Sequence, residues 1–546
     1  MALDSPRVAY FCMEYGLDDA LKTYSGGLGI LAGDHLKGAH DLGLPLVGIG
    51  LKWKQGYVQQ QIDEDGFQVD AFPTYHYPDD VLQDTGVEVR VTIAEDEVRC
   101  KVWKCDAFGN VPLYLLDTDL DGNPHRWTTG QLYAGPEGRR VAQEIVLGIG
   151  GVRALRALGI DVDVYHFNEG HALLAAFELA REKMDAGMTR DEALAAVREQ
   201  IVFTTHTPIP QGNETHPIRR LMYLGADAGV MDAEAFRQLG GDPFNMTVGA
   251  LRMSRIANGV AQLHGETANK MWDWVDGRAP ILAITNGVHP GTWVDEEVDQ
   301  AAQTGSDEDL WAAHQANKRE LIEHIEARAG VQFDENKLLI GFARRAVAYK
   351  RAMLVFEKER EISPLLESGR LQLVFAGKAH PMDSSGKEIV RQLVEMQRRF
   401  PKAVAFITDY DMETGAKMTR GSDVWLNTPR RPKEASGTSG MKAAMNGVLN
   451  CSILDGWWPE AVRDGLNGWD IGGGFISPDP KVQDDHDRDA LYDVLLGKVI
   501  PTYYDDHAGW IEMMRRSILD TREPFSVHRM LREYVEGMYA RQPVEA

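Results

Sequence analysis

The sequence predicts an α/β protein made of two doubly wound, Rossmann-like domains, each built on a parallel sheet. Short apolar runs alternate with longer amphipathic stretches, which is typical of βαβ units. Two such series occur, over residues 1–285 and 286–505. The segment between them, Thr285–Trp293, contains Asn-Gly and Pro, which favour turns, and is the predicted hinge. Doubly wound domains bind ligands outside the carboxyl ends of their strands, so the two domains are expected to face a cleft.

The predicted strands are rich in Val, Ile, Leu or Phe, and most are bounded by Gly, Pro or Asp. They are Val8–Cys12, Val164–Phe167, Ile201–Thr205, Ile281–Thr285, Leu338–Phe342, Leu371–Ala376, Ala403–Thr408 and Val424–Asn427. The predicted helices are Ala142–Leu158, Leu173–Ala186, Leu310–Ala329, Lys387–Phe400 and a closing helix over Arg529–Tyr539. The last of these lies in a C-terminal segment, residues 506–546, that is expected to pack back toward the first domain.

Composition excludes several classes of function. The chain has 546 residues and a net charge of −24, so a nucleic-acid partner is not expected, because the phosphate backbone would be repelled. A phosphate site would have to be built locally from a few Arg and Lys and from backbone N–H groups. No signal peptide or long apolar run is present, and neither a membrane partner nor an export route is expected.

The four cysteines predict no metal site. Cys12, Cys100, Cys105 and Cys451 form no CxxC pair. Reduced thiols in a cytoplasmic protein are the expected state.

The most informative stretch is Arg430–Glu460. Ala435–Gly440 is a turn of small residues, and a helix is predicted from Met441. Small residues before a helix let backbone N–H groups approach a phosphate or sugar oxygen, and the helix N-terminus favours negative charge. Lys442 falls in the predicted first turn, where it would face an anion. A surface lysine after an N-cap Ser or Thr explains the pattern equally well.

Three further segments follow predicted strands or lead into a helix. Tyr24–Gly29 is a glycine loop before a helix, which is typical of an anion cradle or simply of a tight turn. His166–His171 (HFNEGH) and Thr204–Pro208 (TTHTP) each contain the end of a strand. A single His at such a place is more often structural, but two in succession indicate a ligand cleft.

The fourth segment is basic. Gly341–Arg351 (GFARRAVAYKR) places four cations and a Tyr after a strand. A solvated basic helix start is the alternative. The helix macrodipole opposes cations at that end, however, so their clustering indicates bound anions.

Glu434–Lys442 (EASGTSGMK) resembles the cofactor-lysine motif of the glycogen and α-glucan phosphorylases, which hold pyridoxal phosphate as a Schiff base on the Lys. In nucleotide-sugar transferases of the same GT-B type architecture, a Glu is followed eight positions later by a second Glu that binds ribose. Here that position is Lys442, so the ribose carboxylate is missing and the amine for an aldehyde cofactor is present.

The resemblance extends from about Val8 to Tyr539, with the motifs in the family's order, and is greatest to the short bacterial and archaeal members. The chain begins almost directly at the first strand, where larger members have an N-terminal helical region. Arg344 stands where better-known members carry Lys, which keeps the charge but changes the geometry. Ser439 and Gly440 replace the Gly-Asn of the larger enzymes.

The resemblance also implies roles for individual residues. Lys442 would carry the cofactor, Arg345 would bind the substrate phosphate, and Lys350 would bind either phosphate. The implied catalytic residues are Lys442, Arg345, Lys350, His206 and Glu434. The implied cofactor-binding residues are Lys442, Thr438, Ser439, Gly440, Arg344, Lys350 and Trp293. The implied substrate-binding residues are Gly26, Gly27, Leu28, Glu169, His171, His206, Asn286, Tyr349, Glu434, Ser436 and Gly437. No metal is implied.

The implied reaction is phosphorolysis of the non-reducing end of an α-1,4-glucan to glucose 1-phosphate, with retention and with the cofactor phosphate as proton relay. The implied partners are α-glucan or maltodextrin, inorganic phosphate, glucose 1-phosphate and, as the family tends to dimerise, a second copy of the chain. Two alternatives stay open. One is a nucleotide-sugar-dependent transferase of the glucan-synthase kind, and the other is a glucan-binding protein without catalysis. Supplying phosphate or a nucleotide-glucose separates them.

Overall fold

A computed structural model describes residues 5–133 and 137–540 of the chain and shows two compact units. Unit 1 comprises the described residues of Met1–Tyr57, Phe72–Thr285 and Val527–Ala546. Unit 2 comprises Val58–Ala71 and Asn286–Ser526. The main change from one unit to the other therefore occurs at Thr285 and Asn286.

Both units alternate strands with helices. The strands are β1 Val8–Phe11, β2 Leu46–Leu51, β3 Gln59–Ile62, β4 Gln68–Ala71, β5 Gln83–Ile93, β6 Asp96–Cys105, β7 Leu113–Asp117, β8 Val164–Asn168, β9 Ile201–Thr204, β10 Thr215–His216, β11 Phe244–Asn245, β12 Ile256–Gly259, β13 Ile281–Ala283, β14 Leu338–Ala343, β15 Leu371–Ala376, β16 Val404–Ile407, β17 Val424–Asn427, β18 Leu449–Ile453 and β19 Gly468–Ile471.

The α-helices are α1 Gly27–Asp41, α2 Glu137–Ile145, α3 Gly151–Ala157, α4 Leu174–Asp185, α5 Arg190–Arg198, α6 Ile218–Leu224, α7 Ala233–Gly240, α8 Met246–Met253, α9 Gln262–Met271, α10 Pro290–Trp293, α11 Glu296–Thr304, α12 Asp307–Ala329, α13 Glu359–Glu367, α14 Ser384–Arg399, α15 Met412–Gly421, α16 Thr438–Met445, α17 Trp458–Ala461, α18 Pro480–Val494, α19 Ile500–Asp505, α20 His507–Thr521 and α21 Val527–Tyr534. Single π-helical turns cover Val146–Gly150, Leu495–Val499 and Val535–Tyr539.

The main sheet of unit 1 has the order β13-β12-β9-β8-β1-β2-β7-β6-β5. Its strands are parallel from β13 to β7, but β6 pairs antiparallel with β5 and β7. The prediction of a purely parallel sheet is therefore wrong at this edge, because β5 and β6 are joined by a tight turn at Ala94–Glu95 instead of a crossover helix. Sequence order reverses between β1 and β8, which makes that point the switch point of the sheet.

The sheet of unit 2 has the order β16-β15-β14-β17-β18-β19, with every pair parallel. All six residues of β14 are buried, as expected for a strand covered by helices on both faces. Sequence order reverses between β14 and β17. The hairpin β3–β4 belongs to this unit because Gln60 donates its side-chain N–H to the carbonyl of Gly377 at 3.1 Å.

The C-terminal segment divides between the units, which corrects the expectation that residues 506–546 pack as one toward the first domain. Helix α20 packs on unit 2, where the Ser517 hydroxyl donates to the Ala444 carbonyl at 3.2 Å. Helix α21 and the turn after it pack on unit 1, where the Tyr539 hydroxyl lies 2.8 Å from Nδ1 of His166. The apolar face of each helix therefore completes a different core.

The four cysteines are free and buried. None of the helices in the described part of the chain combines the length and apolar character needed to cross a membrane.

Candidate functional site

In unit 2 the predicted basic segment leaves the sheet at its switch point. Arg344 directly follows β14, and its guanidinium donates to Oδ1 of Asn427, the last residue of β17, at 2.6 Å. The same guanidinium donates to Oε2 of Glu434 at 2.5 Å. The topology therefore brings together one predicted cofactor residue and one predicted catalytic residue.

Glu434 is buried and receives a second cation, because the ammonium of Lys350 donates to the same oxygen as Arg344. Burial opposes ionisation of this carboxyl, but Arg344 and Lys350 hold the pKa of Glu434 below its ordinary value. The backbone N–H of Glu434 is also bound, since it donates to Oδ2 of Asp455 at 2.9 Å. Burial, reinforced by the charge of Glu434, raises the pKa of Asp455 to about 7.

The segment after β14 is not the start of an α-helix. Arg344–Val347 forms neither helix nor strand and contains a tight turn in which the Val347 N–H donates to the Arg345 carbonyl at 2.9 Å. A short 3-10 turn follows over Ala348–Lys350. The side chain of Arg345 is exposed and Tyr349 is half-buried. Arg351 has a structural task, since its guanidinium donates to Asp484 at 2.8 Å and to Asp487 at 2.7 Å.

The small-residue turn is shorter than predicted, and α16 begins at Thr438 instead of Met441. Gly437 caps the helix with a φ of 87°, in the left-handed region that favours glycine. The predicted cofactor residues Thr438, Ser439 and Gly440 therefore form the first turn. The N–H groups of Thr438 and Ser439 have no acceptor within the helix, whereas the N–H of Gly440 donates to the Gly437 carbonyl at 3.1 Å. Lys442 lies one turn further in.

Close packing fixes this turn in place. A Cβ on Gly440 would lie 2.7 Å from Oδ1 of Asn450, so no larger residue fits without rearrangement. The Ser436 carbonyl accepts the N–H of Trp457 at 2.9 Å. The buried hydroxyl of Ser436 has no hydrogen-bond partner among the residues that the structure describes.

Lys442 is buried, and its ammonium lies 3.3 Å from the centre of the Trp293 ring. Asn446 locks the two elements together, since its amide donates to the Trp293 carbonyl at 3.0 Å and to the Lys442 carbonyl at 2.8 Å. A buried amine against an aromatic wall is a suitable attachment point for a planar aldehyde cofactor, and the first turn of α16 can bind its phosphate. The residues present therefore fit the implied pyridoxal phosphate.

In unit 1 two carboxylates follow the strands at the switch point. Glu14 comes after β1, and its Oε2 accepts the N–H of Ser25 at 2.6 Å and of Gly26 at 3.1 Å. The Tyr133 hydroxyl donates to its Oε1 at 2.7 Å. The N–H of Gly26 is thus engaged by Glu14, which corrects the expectation that it faces a ligand, whereas Gly27 and Leu28 lie in the first turn of α1.

Glu169, the second carboxylate, joins the two His-containing motifs. Its Oε1 accepts the N–H of His206 at 2.5 Å and the Thr207 hydroxyl at 3.1 Å. Its φ of 68° is strained for a residue other than glycine and is typical of functional sites. Burial raises the pKa of Glu169.

His206 itself is largely covered. Its buried Nε2 has no hydrogen-bond partner among the described residues. Burial, with a smaller effect of His264, lowers the pKa of His206 to about 3, so the ring is neutral at pH 7.

His171 lies beside residues that the sequence did not single out. Its Nε2 accepts from the guanidinium of Arg140 at 2.8 Å, and Nε of Arg140 also lies 3.1 Å from both carboxylate oxygens of Glu214. Burial, then Arg140, lowers the pKa of His171 to about 3. The sequence signal for this group was the charged pair Arg140 and Glu144 together with Glu214. Glu214 lies only seven residues after Thr207 of the predicted His-containing motif.

Asn286 is buried and begins the longer segment of unit 2, after β13. Many of the predicted site residues thus lie near a strand end, a helix start or the junction between the units, whereas Lys442 lies within α16 and Trp293 ends α10. Glu14, Tyr133 and Arg140 are additional polar residues found only in the structure.

The two units provide different chemistry. Unit 2 offers cations and helix N–H groups for anions together with a buried amine, and unit 1 offers carboxylates and neutral imidazoles suited to hydroxyl groups. This combination defines an α/β protein of the class that handles sugars and phosphates.

Comparison with known proteins agrees. Residues 295–462 match the model of the carbohydrate phosphorylase family. The chain is 41% identical to a maltodextrin phosphorylase of Thermococcus litoralis, over 98% of this chain and 70% of the relative. It is 36% identical to a glycogen phosphorylase of Aquifex aeolicus, over 98% and 86% respectively. An uncharacterized protein of Methanocaldococcus jannaschii is 36% identical over 97% of this chain and 99% of its own length. The chain belongs to the carbohydrate phosphorylase family.

Proposed function

We propose that this protein is an α-glucan phosphorylase, which transfers the terminal glucosyl unit of an α-1,4-glucan to inorganic phosphate and releases glucose 1-phosphate. The observation that carries the proposal is the environment of Lys442, which places a buried amine against Trp293 in the same helix whose first turn is open to an anion. Relatives named maltodextrin phosphorylase and glycogen phosphorylase match nearly the whole chain. The homodimer and the cytoplasmic location stay predictions.

Lys442 is the proposed attachment point of pyridoxal phosphate, on which the family generally depends. Trp293 would cover one face of the ring, and Thr438 and Ser439 would bind its phosphate through their N–H groups. Gly440, whose N–H donates to the Gly437 carbonyl, would complete this turn. When bound, the cofactor supplies a phosphate group that exchanges a proton near neutral pH.

The substrate phosphate is assigned to the basic segment after β14. Arg345 is exposed and can reach an anion, and Arg344 and Lys350 are held in place by Glu434. Charge-assisted hydrogen bonds from these groups would offset the repulsion between two phosphates. Gly27 and Leu28 in the first turn of α1 are the proposed N–H donors of unit 1.

The sugar hydroxyls are assigned to acceptors and neutral donors. Glu434, Ser436, Gly437 and Tyr349 would serve in unit 2, together with Asn286, and Glu169, His171 and His206 in unit 1. Glu169 acts by holding the backbone of His206. Neutral imidazoles are suited to this task because they can donate to one hydroxyl and accept from another.

The reaction needs one proton at the glycosidic oxygen. The substrate phosphate, held by Arg345 and Lys350, gives a proton to that oxygen, the bond to the anomeric carbon breaks, and a phosphate oxygen bonds to the same face. Retention follows because attack and departure use one face. Residues around the phosphate stabilise the charge and exclude water, so that glucose 1-phosphate forms in place of glucose.

The reverse direction tests the class of donor. Purified protein is given a malto-oligosaccharide with either glucose 1-phosphate or a nucleotide-glucose. The proposal predicts chain elongation and phosphate release with glucose 1-phosphate alone. Elongation with the nucleotide-glucose would establish the transferase alternative, and binding of the oligosaccharide without any elongation would establish a non-catalytic role.

A further inference from the structure

A buried cluster in unit 1 has the composition of a metal site. Glu144, Glu214 and His216 each offer one ligand atom, and these atoms lie within 4.8 Å of one another. The side chains of Glu144 and His216 are 0% and 2% exposed, and that of Glu214 is 24% exposed. A ligand could therefore reach an otherwise enclosed group from the side of Glu214.

Two members of this cluster, Glu144 and His216, lack hydrogen bonds, whereas Glu214 is bound by Arg140. Neither carboxylate oxygen of Glu144 and neither ring nitrogen of His216 has a hydrogen-bond partner among the described residues. Burying such groups without partners costs free energy, so native structures seldom leave them unpaired. The recorded charge contacts of Glu144 and His216 are ion pairs at 3.4 Å and longer, which leave their hydrogen-bonding capacity available to a further group.

The distances fit a tetrahedral cation. Nε2 of His216 lies 3.4 Å from Oε2 of Glu144 and 3.4 Å from Oε1 of Glu214. Zinc holds N and O ligands at roughly 2.0–2.2 Å, so two ligands of one tetrahedral ion lie about 3.3–3.5 Å apart. The measured separations are long for a hydrogen bond and close to this edge length.

The scaffold around the cluster is fixed. His216 ends β10, which pairs antiparallel with β11, and Glu144 lies in α2 just before the π-helical turn Val146–Gly150. Such turns occur frequently at functional sites. Arg140 binds Glu214 through Nε at 3.1 Å and lies 3.9 Å from Glu144, in the place of an outer donor that orients ligating carboxylates.

We propose that Glu144, Glu214 and His216 form a binding site for one divalent cation of the zinc type, with a water as the fourth ligand. Two carboxylates and one imidazole suit a borderline cation, and their charge matches a divalent one. The expectation that no metal is bound rested on the spacing of the cysteines and on the family resemblance, and neither concerned this cluster. The ion would join α2 to β10.

Cobalt serves as the probe, because tetrahedral Co²⁺ absorbs visible light at longer wavelengths than pyridoxal phosphate. The full-length holoenzyme is treated with a chelator, dialysed and titrated with Co²⁺, and bound metal is counted by elemental analysis. The expected result is one Co²⁺ per chain, with visible bands that Zn²⁺ displaces and with a higher melting temperature.

Two variants locate the site. His216→Ala and the near-isosteric Glu144→Gln should each weaken Co²⁺ binding by at least about 10–100-fold. His125→Ala is the matched control, because His125 pairs with Asp96 at 2.9 Å in the same unit but is exposed to solvent, and it should bind Co²⁺ like the parent. If His216→Ala fails to fold by circular dichroism, Glu144→Gln decides.

Failure of the parent protein to take up stoichiometric Co²⁺ or Zn²⁺ would overturn the proposal and leave a salt-bridge cluster around Arg140. Unchanged binding in the folded variants would do the same, since the ion would then lie elsewhere.

Discussion

The switch points of the two sheets have the same architecture but carry side chains of opposite charge. Between β1 and β8 the chain places Glu14 and Glu169, whose oxygens accept backbone N–H groups of the next loops. Between β14 and β17 it places Arg344, whose guanidinium reaches Asn427 and Glu434. The fold decides where a ligand can bind, but the residues at the strand ends decide which ligand it is.

At the switch points, we propose that the basic residues of unit 2 bind anions and that Glu169 and His206 of unit 1 bind sugar hydroxyls. Substitutions in the two regions should therefore change different kinetic constants, and the three kinetic predictions test this division. A fourth prediction concerns stability.

The largest effect is expected at Lys442. Lys442→Ala should remove the covalently bound cofactor and lower phosphorolysis by more than about 1000-fold, because the loss exceeds about 4 kcal/mol of transition-state stabilisation. Absorbance of the bound cofactor and glucose 1-phosphate formation are measured together. Lys481→Ala, at an 82% exposed side chain, is the control and should keep both. A Lys442→Ala protein that retained stoichiometric cofactor and activity would show that Lys442 is not the attachment point of the cofactor.

The second-largest effect is expected at Arg345. Losing a charge-assisted contact to phosphate costs roughly 2–4 kcal/mol, so Arg345→Ala should lower phosphorolysis by a factor on the order of 30–1000. The loss should appear in the dependence on phosphate concentration. Arg319→Ala, in an exposed pair with Glu335 at 3.3 Å, should behave like the parent. Equal phosphate kinetics in both variants would exclude the role.

Glu169 tests the other region. Glu169→Gln keeps the volume but weakens the hydrogen bonds from His206 and Thr207, which should reduce kcat/KM for the glucan by roughly 10–100-fold. Because Glu169 acts through His206, the KM for the glucan should rise while the KM for phosphate stays near that of the parent. Glu234→Gln, a surface change, is the control. A rise confined to the phosphate KM would contradict the division between the regions.

The smallest net effect concerns stability. The buried Asp455 has a pKa of about 7 against an ordinary value of 3.8, so the folded chain binds this proton more tightly than the unfolded one. The stability that the proton contributes is complete below about pH 4 and is lost as pH rises through about 7.

Asp455→Asn does not titrate. Relative to the parent, its unfolding free energy should rise between pH 4 and pH 8 by on the order of 1–3 kcal/mol. Loss of one of two backbone hydrogen bonds offsets about 1 kcal/mol, which leaves a net gain on the order of 1 kcal/mol at pH 8. Denaturant unfolding across this range measures the difference, and parallel pH profiles would refute the assignment.

The sequence predicted the strands that carry the site better than their surroundings. Leu371–Ala376 and Val424–Asn427 were predicted with their observed bounds, because continuous apolar runs between turn residues are unambiguous in a sheet buried on both faces. Strands β5 and β6 were not predicted. Their alternating, charged pattern at the sheet edge resembles that of surface loops.

Site residues inside short motifs, such as Glu169 in HFNEGH, were predicted from the sequence, and polar residues outside such motifs were not. Glu14 lies in the same connection as Ser25 and Gly26 but 11 and 12 residues before them, and no local pattern marks it. The start of α16 was misplaced because Thr438 and Ser439 are typical of N-caps, whereas Gly437 takes the capping position. Asp455 was missed because its partner, the N–H of Glu434, is 21 residues away.

The most direct test of phosphorolysis is the phosphate dependence of glucan cleavage. Purified protein is incubated with a malto-oligosaccharide over a range of inorganic phosphate concentrations, and glucose 1-phosphate and glucose are both quantified. The account predicts no cleavage without phosphate, saturable cleavage with it, and one α-glucose 1-phosphate for each glucosyl unit removed. Release of free glucose in the absence of phosphate, or no product at any phosphate concentration from a folded, cofactor-loaded protein, would contradict it.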